Sequence, residues 1–242
     1  MTVLEFRAAG VPHGAELLRD LKLEEERVIL GAAKTRRFSS KTVITHQGEP
    51  ADNLLLLWKG RARFFFQTPD GRKLIQIWMT PGHIFGGAAL VSRPSIYLVS
   101  AEAVRDSVVL VWDGPTIRAL ARRFPRLLEN ALSIAANYIS WYVVALAALT
   151  SQTARERLAG VLLGYISSIG QKVAGGIELD LTNEEVANSA SITPYTTSRI
   201  LSEWQKVGAI KKRRGKILLA SPEQFFLRVV QSGSSNFPHM TL

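Results

Sequence analysis

The sequence of 242 residues contains no cysteine. Disulfides, thiolate nucleophiles, zinc–thiolate sites and cysteine-ligated iron–sulfur clusters are therefore excluded, because each of them needs a cysteine sulfur. The histidines are few and have no metal-ligand spacing: His13, His46, His83 and His239. Ser/His/Asp sets, paired-carboxylate motifs and phosphate-binding Walker loops are also missing. We therefore expect neither a metal site nor an enzyme.

Acidic residues are scarce relative to basic ones, with 20 Asp and Glu against 30 Lys and Arg and a net charge of +10. Such an excess favours a polyanionic partner, because cations that neutralise phosphates release condensed counterions. Residues 1–10 include Glu5 and Arg7 and lack the apolar segment of a secretory signal. We expect a cytoplasmic protein, a location with which the lack of cysteine is compatible.

Charge is absent from residues 130–154, a stretch long enough to cross a membrane. Polar side chains recur within it at helical spacing, at Asn130, Ser133, Asn137 and Ser140. A lipid-facing helix has no reason to keep such a stripe, so we expect no membrane span.

Apolar side chains in and just before this stretch repeat with alternating steps of four and three residues. These positions, called the dimer seam below, are Leu128, Leu132, Ala135, Ile139, Tyr142, Leu146 and Leu149. The repeat predicts a long helix that pairs in parallel with a second copy of itself, and burial inside one subunit is the alternative. Beyond Tyr142 the helix is apolar all round, so we expect that end to pack against the preceding domain as well.

Residues 38–113 have the pattern of short strands separated by glycine turns. The glycines are Gly48, Gly60, Gly71, Gly82, Gly86 and Gly87. Uninterrupted apolar runs at 54–57 and 64–66 indicate strands covered on both faces, and residues 68–71 (TPDG) predict a hairpin turn. A β-roll or barrel fits this spacing, with an ordinary β-sandwich as the alternative. Pro115 and Pro125 each predict the start of a helix, the second of them the long one.

Two short helices are predicted after a further helix at 154–169. A capping box at Thr182 and Glu185 begins the first, and residues 188–192 supply a turn. Thr193 caps the second helix, with Pro194 at its first position and Gly208 as the stop. Two short helices joined by a tight turn are typical of a helix-turn-helix.

The second helix has a core face, predicted at Thr197, Ile200, Leu201 and Trp204. On the opposite face we predict base contacts from Tyr195, Ser198, Arg199 and Ser202, with Arg199 bidentate to a guanine. Contacts to the DNA backbone are predicted from Thr193 and Thr196 and from a basic hairpin that follows, Lys211, Lys212, Arg213, Arg214 and Lys216. A merely solvated helix face and turn is the alternative.

The stretch LTNEEVA at 181–187, TTSRILSEW at 196–204 and GAI at 208–210 resembles the winged helix-turn-helix of the Crp/Fnr superfamily. The resemblance extends to ARERLA at 154–159, and GEPAD at 48–52, WKG at 58–60 and PGHIFG at 81–86 resemble its cyclic-nucleotide-binding β-roll. It implies an α+β fold with a β-roll at 1–124, a dimerisation helix and hinge at 125–152 and a winged helix-turn-helix at 153–231. Residues 232–242 are rich in small and polar side chains, which predicts a disordered tail.

The chain departs from the family pattern in both domains. Tyr195 stands where many relatives have an acidic base-reading residue, and Pro194 where the cyclic-AMP-responsive branch has an arginine. In the effector pocket, Gly87 and Ser95 replace a glutamate and an arginine that would hold cyclic AMP. Losing two charge-assisted contacts makes cyclic AMP an improbable effector. The pocket residues expected from the resemblance are Phe85, Gly86, Gly87, Ala88, Ser95 and Tyr138.

The resemblance implies a homodimeric transcription regulator that binds a palindromic double-stranded DNA site, with no certain cofactor. Control by an unidentified effector other than cyclic AMP and constitutive activity are both open, and RNA polymerase is a further candidate partner. The rival interpretation is a small-molecule sensor that acts through protein or membrane contacts instead of DNA.

Overall fold

The computed structural model describes residues 15–222, except 92 and 94, together with residues 225 and 229. The described backbone forms two compact units, one up to residue 144 and one from residue 145, which divide inside the long helix. The tail predicted to be disordered, residues 232–242, lies outside the described residues.

The first unit begins with a 3₁₀ turn (Glu16–Leu18) and helix α1 (Leu23–Gly31), followed by eight strands among the described residues. The strands are β1 (Lys34–Phe38), β2 (Val43–Thr45), β3 (Asn53–Lys59), β4 (Ala62–Gln67), β5 (Lys73–Met79), β6 (Ile84–Phe85), β7 (Ser100–Ala103) and β8 (Ser107–Asp113). They form two antiparallel sheets in the orders β1-β8-β3-β6 and β2-β7-β4-β5.

Strand β3 explains the unbroken leucine run at 54–57. Leu55 and Leu57 point into a core shared with the second sheet, where they meet Phe64. Leu54 and Leu56 point the other way, into a core built with the surrounding helices. Because both faces are covered, the strand has no polar alternation, as predicted. The predicted hairpin between β4 and β5 is also confirmed, with Gly71 in the left-handed region at φ +83°.

One carboxylate on the second sheet is buried among cations. Glu102 on β7 is 6% exposed and accepts hydrogen bonds from Arg63 at 2.8 Å and Lys73 at 3.1 Å. Burial alone would raise the pKa of Glu102, but the hydrogen bonds from both cations outweigh it and hold that pKa below its usual value. The network joins β4, β5 and β7.

Helices α2 (Gly114–Arg123) and α3 (Pro125–Ser151) start where the prolines predicted. Leu127, Ala131 and Ile134 of α3 pack into the helix-covered core. Asn130 lies on this packed face and donates to the carbonyls of Leu17 and Arg19, at 3.1 and 2.8 Å. Asn130, one member of the polar stripe, is therefore buried and satisfied by hydrogen bonds inside the first unit.

The part of α3 that directly follows Tyr142 is more exposed than the sequence predicts. Val143 and Val144 are 61% and 42% exposed, although both belong to the first unit. Our expectation that this end packs against the roll is therefore wrong for these two residues. An all-apolar helix surface predicts that the helix end is covered but does not indicate what covers it.

The second unit contains α4 (Ala154–Ile169), β9 (Gln171–Val173), β10 (Gly176–Asp180), α5 (Asn183–Ser189), α6 (Pro194–Lys206), β11 (Ile210–Arg213) and β12 (Lys216–Leu219). The strands form one sheet in the order β11-β12-β10-β9. Leu158 of α4, Val186 of α5 and Leu201 of α6 are fully buried, so the three helices share a core. This is the winged helix-turn-helix arrangement that was predicted.

Candidate nucleic-acid interface

Helix α5 is held at its start by the predicted capping box. The Thr182 hydroxyl accepts from the backbone N–H of Glu185 at 3.2 Å, and the Glu185 carboxylate accepts from the backbone N–H of Thr182 at 2.9 Å. Two donors that have no partner inside the helix are thereby satisfied. The helix continues to Ser189, so the turn before the next helix is shorter than the predicted 188–192.

Helix α6 also begins as the sequence predicts. The Thr193 hydroxyl accepts from the backbone N–H of Thr196 at 3.1 Å and shares a hydrogen bond with the Thr196 hydroxyl at 2.9 Å. Pro194 occupies the first turn, and Gly208, at φ +71°, follows the end of the helix. Both threonine hydroxyls lie at the positively polarised end of α6, where a phosphate oxygen would be favoured.

The two faces of α6 differ sharply in exposure. Thr197, Ile200, Leu201 and Trp204 are all at most 3% exposed, which confirms the predicted core face. On the outward face Tyr195 is 79% exposed, and the Arg199 side chain is 59% exposed. The Ser202 hydroxyl is exposed and donates to the Ser198 carbonyl at 2.8 Å, so in the free protein it is occupied within the helix.

Arg199 has a partner that the sequence analysis missed. Its Nη1 donates to Oε1 of Glu203 at 3.1 Å, one helical turn along. The other oxygen of Glu203 accepts from Arg155 of α4. The spacing of four residues between Arg199 and Glu203 was a visible signal for the first pair. No local pattern indicated the second pair, because 48 residues separate its members.

The basic hairpin forms the predicted wing from β11 and β12, with Arg213 opposite Lys216 and Gly215 in the turn at φ +70°. Lys211, Arg213 and Arg214 are exposed and Lys212 is half-buried. The backbone N–H of Lys212 donates to Oε1 of Gln205 at 3.0 Å, which fastens the wing to α6. Lys216 is paired with Glu178 of β10, so part of its charge is already neutralised within the protein.

The predicted effector residues surround a tight turn after β6. Gly86 has φ +75°, and a Cβ there would lie 2.1 Å from the carbonyl oxygen of Asn53, so only glycine fits. At Gly87, by contrast, a Cβ would meet nothing within 4 Å. Gly87 begins the 3₁₀ turn Gly87–Leu90, which includes Ala88, and Ser95 is exposed on the loop that follows.

Tyr138 of α3 reaches this turn from the helix side. Its hydroxyl donates to the carbonyl of Ile84 at 3.0 Å, and its ring lies edge-on to Phe64, which in turn lies edge-on to Phe85. Burial raises the pKa of Tyr138, so the phenol stays protonated and keeps its hydrogen bond. The structure therefore brings Phe85 and Tyr138 together and links the turn to the long helix.

The dimer seam lies on the uncovered side of α3. Its six large side chains are between 38% and 65% exposed, and Ala135 is exposed as well. By length and hydropathy alone, α3 could also cross a membrane.

Among the described residues, no group of three or more His, Asp or Glu side chains could hold a metal ion.

Both units match families of known sequence. Residues 35–124 match the cyclic nucleotide-binding domain, and residues 156–225 match the Crp-like helix-turn-helix domain. The chain is 24% identical over 184 residues to a CRP-like cAMP-activated global transcriptional regulator of Mycobacterium tuberculosis. That alignment covers 75% of this chain and 82% of the relative. It is 26% identical over 204 residues to the cyclic AMP receptor protein of Thermus thermophilus, covering 84% and 92%.

Solved structures share the fold. The c-di-GMP responsive global regulator CLP of Xanthomonas campestris aligns with a TM-score of 0.75 at 16% identity, over 83% of this chain and 100% of that one. FixK2 of Bradyrhizobium japonicum aligns with a TM-score of 0.69 at 24% identity, over 80% and 95%. Both alignments extend over most of this chain and nearly all of the other, so the chain shares its overall fold with these proteins.

Proposed function

Because the chain belongs to the Crp/Fnr family of DNA-binding transcription regulators, we propose that it binds a palindromic site as a homodimer, with α6 in the major groove. The observation that carries the proposal is the asymmetry of α6: its inward face is fully buried, while Tyr195 and Arg199 remain exposed on its outward face. Hydrogen-bonding groups on an outward-facing recognition helix are what base readout in the major groove requires.

We assign Arg199 as the bidentate contact to a guanine, with Tyr195, Ser198 and Ser202 as further base contacts. Ser202 must exchange its hydrogen bond to the Ser198 carbonyl for one to a base, so we expect its contribution to be small. Tyr195 cannot accept a hydrogen bond from cytosine as a carboxylate does, so the operator differs from that of relatives with an acidic residue at this position.

The DNA backbone contacts are assigned to the start of α6 and to the wing. They are Thr193, Thr196, Lys211, Lys212, Arg213, Arg214 and Lys216. Each cation that neutralises a phosphate adds about 0.9 to the slope of log affinity against log salt. Since Lys216 is already paired with Glu178, we expect its share to be the smallest of the five wing cations.

The dimer forms in this proposal through the seam of α3 in parallel orientation, which sets two α6 helices about 34 Å apart, one turn of the duplex. The exposure of the seam supports pairing, because exposed apolar side chains at steps of four and three fit a second helix of the same kind. A membrane is disfavoured because Asn130 and its neighbours on the same helix pack against the first unit. We place the protein in the cytoplasm, with RNA polymerase as a candidate partner.

For the effector pocket we propose a ligand other than cyclic AMP, or none. The relatives from Mycobacterium tuberculosis and Thermus thermophilus are named for cyclic AMP. In this chain Gly87 and Ser95 stand where the family resemblance implies a glutamate and an arginine that hold cyclic AMP. The contacts of Tyr138 with Ile84 and Phe64 give a ligand bound at the turn after β6 a route to the long helix. Titration calorimetry with cyclic AMP should give no saturable heat, and micromolar binding would overturn this assignment.

Selection of bound duplexes from a random pool tests the DNA-binding proposal. The wild-type chain should enrich a palindrome. The Arg199→Ala variant should lose about 1 to 3 kcal/mol on that site and relax one base position in each half. Lys212→Ala is the matched control, because it removes one cation from a phosphate-contacting strand and should weaken all sequences alike. Failure of the wild type to enrich any sequence, or equal losses on selected and random duplexes for Arg199→Ala, would contradict the proposal.

A further inference from the structure

Glu203 stands between two arginines, one on its own helix and one on another. Arg199 donates to Oε1 of Glu203 at 3.1 Å, and Arg155 of α4 donates to Oε2. All three side chains are partly exposed, at 59% for Arg199, 38% for Glu203 and 37% for Arg155. Neither pair is needed to form α6, whose start is capped by Thr193 and whose inward face is fully buried.

The two arginines are not equally fixed. The Arg155 guanidinium also lies over the ring of Trp204, 5.8 Å from its centroid. Trp204 is itself 1% exposed and packs edge-on against Phe225 at 5.1 Å. Arg155 is therefore anchored to the core of the unit by a cation–π contact and an ion pair. Through Arg155 the carboxylate of Glu203 is anchored too, whereas the Arg199 side chain is held, within the part of the chain that the structure describes, by Glu203 alone.

We propose that Glu203 is a specificity-determining positioning residue, which holds Arg199 in the orientation that reads a base. The inference rests on the proposed DNA-binding function. An arginine has five N–H donors in a fixed fork, so one donor to Glu203 leaves enough to reach both acceptors of a guanine. The pair also restricts the rotamers of a long side chain before binding, which lowers the entropy lost in the complex.

The charge of Glu203 contributes in a second way. A carboxylate one helical turn from Arg199 repels the phosphates of the duplex, so an Arg199 that swings away from the base edges gains less from the backbone. Loss of the carboxylate should therefore free Arg199 to bind phosphates, with tighter binding to random DNA and poorer discrimination at the base that Arg199 reads.

A charge-matched pair of variants tests the proposal on the full-length dimer. Glu203→Gln and Glu184→Gln each remove one negative charge from the same unit, and Glu184 is exposed in the first turn of α5. Affinities are measured for the selected duplex, for the duplex changed at the base assigned to Arg199, and for random DNA. Both variants should bind random DNA somewhat more tightly. Only Glu203→Gln should lower the preference at the assigned base, by about two- to fivefold, the range of exposed ion pairs.

Two further variants separate positioning from a general structural effect. Arg155→Lys keeps the charge but loses the planar fork, so it should lower the same base preference with little change on random DNA. In an Arg199→Ala background, Glu203→Gln should no longer change discrimination at that base. Equal base preferences for the Glu203 and Glu184 variants, or an unchanged effect of Glu203→Gln without Arg199, would overturn the inference. Loss of sequence preference in the wild type would instead overturn the proposed function.

Discussion

Ile139 is a position at which the dimer seam can be perturbed with little damage to the single chain. It is 64% exposed, so about two thirds of its side chain is left for a partner helix to cover. Truncating a fully buried isoleucine to alanine costs about 2 to 5 kcal/mol. Scaled to the exposed share, Ile139→Ala should weaken the dimer by about 1.3 to 3.2 kcal/mol per helix, or about 2.5 to 6.5 kcal/mol for both copies. The dissociation constant should rise about 10²- to 10⁵-fold.

Sedimentation equilibrium over a wide range of protein concentration measures this change directly. Ser140→Ala is the matched control, because Ser140 is the next residue along the helix, is exposed and lies off the seam. It should leave the dissociation constant within about twofold of the wild type, since surface substitutions change free energies little. Equal dissociation constants for the Ile139→Ala and Ser140→Ala variants would refute the assignment of this face to the dimer. A wild type that stays monomeric would refute the dimer itself.

Two further predictions concern stability. Gly86→Ala should destabilise the first unit by about 1 to 3 kcal/mol in urea unfolding, because its φ of +75° and the close backbone oxygen exclude a Cβ. Gly87→Ala, with open space at its Cβ, should be neutral or stabilise by under about 1 kcal/mol, and equal effects of the two changes would count against this account. Glu102→Gln should cost about 1 to 3 kcal/mol at pH 7, because it weakens charge-assisted hydrogen bonds from Arg63 and Lys73. Since the folded-state pKa of Glu102 lies below its unfolded value of 4.5, the carboxylate stabilises above that pH, and the difference between wild type and variant should shrink as pH falls through the lowered pKa. A difference that is constant from pH 7 to pH 3 would contradict the role of its charge.

Local sequence signals predicted the helix-turn-helix well, because the residues that mark the starts of α5 and α6 act on backbone groups only a few positions away. Thr182 with Glu185, and Thr193 with Pro194, mark helix starts through hydrogen bonds that span three residues. The wing was also predicted from local pattern, since a cluster of cations with a glycine between two apolar runs is typical of an exposed turn joining two strands. In such segments the local sequence is enough to predict where the helices begin and where the hairpin turns.

Signals that depend on distant partners could not be recovered from one sequence. Asn130 matches a polar stripe and a buried face equally well, and only the approach of Leu17 and Arg19 decides that it is buried. The link between Arg155 and Glu203 likewise exists only once α4 and α6 have packed together. Val143 is the opposite case. Its apolar side chain predicts burial, but a single sequence does not indicate which surface would bury it.

The most direct test of the account counts protein chains on the duplex enriched by selection. Sedimentation of the complex should give two chains per palindrome. Insertion of about five base pairs at its centre should abolish joint binding, because half a helical turn moves one half-site to the opposite side of the duplex. One chain per duplex, or binding that is indifferent to the insertion, would contradict a dimer that presents two recognition helices one turn apart.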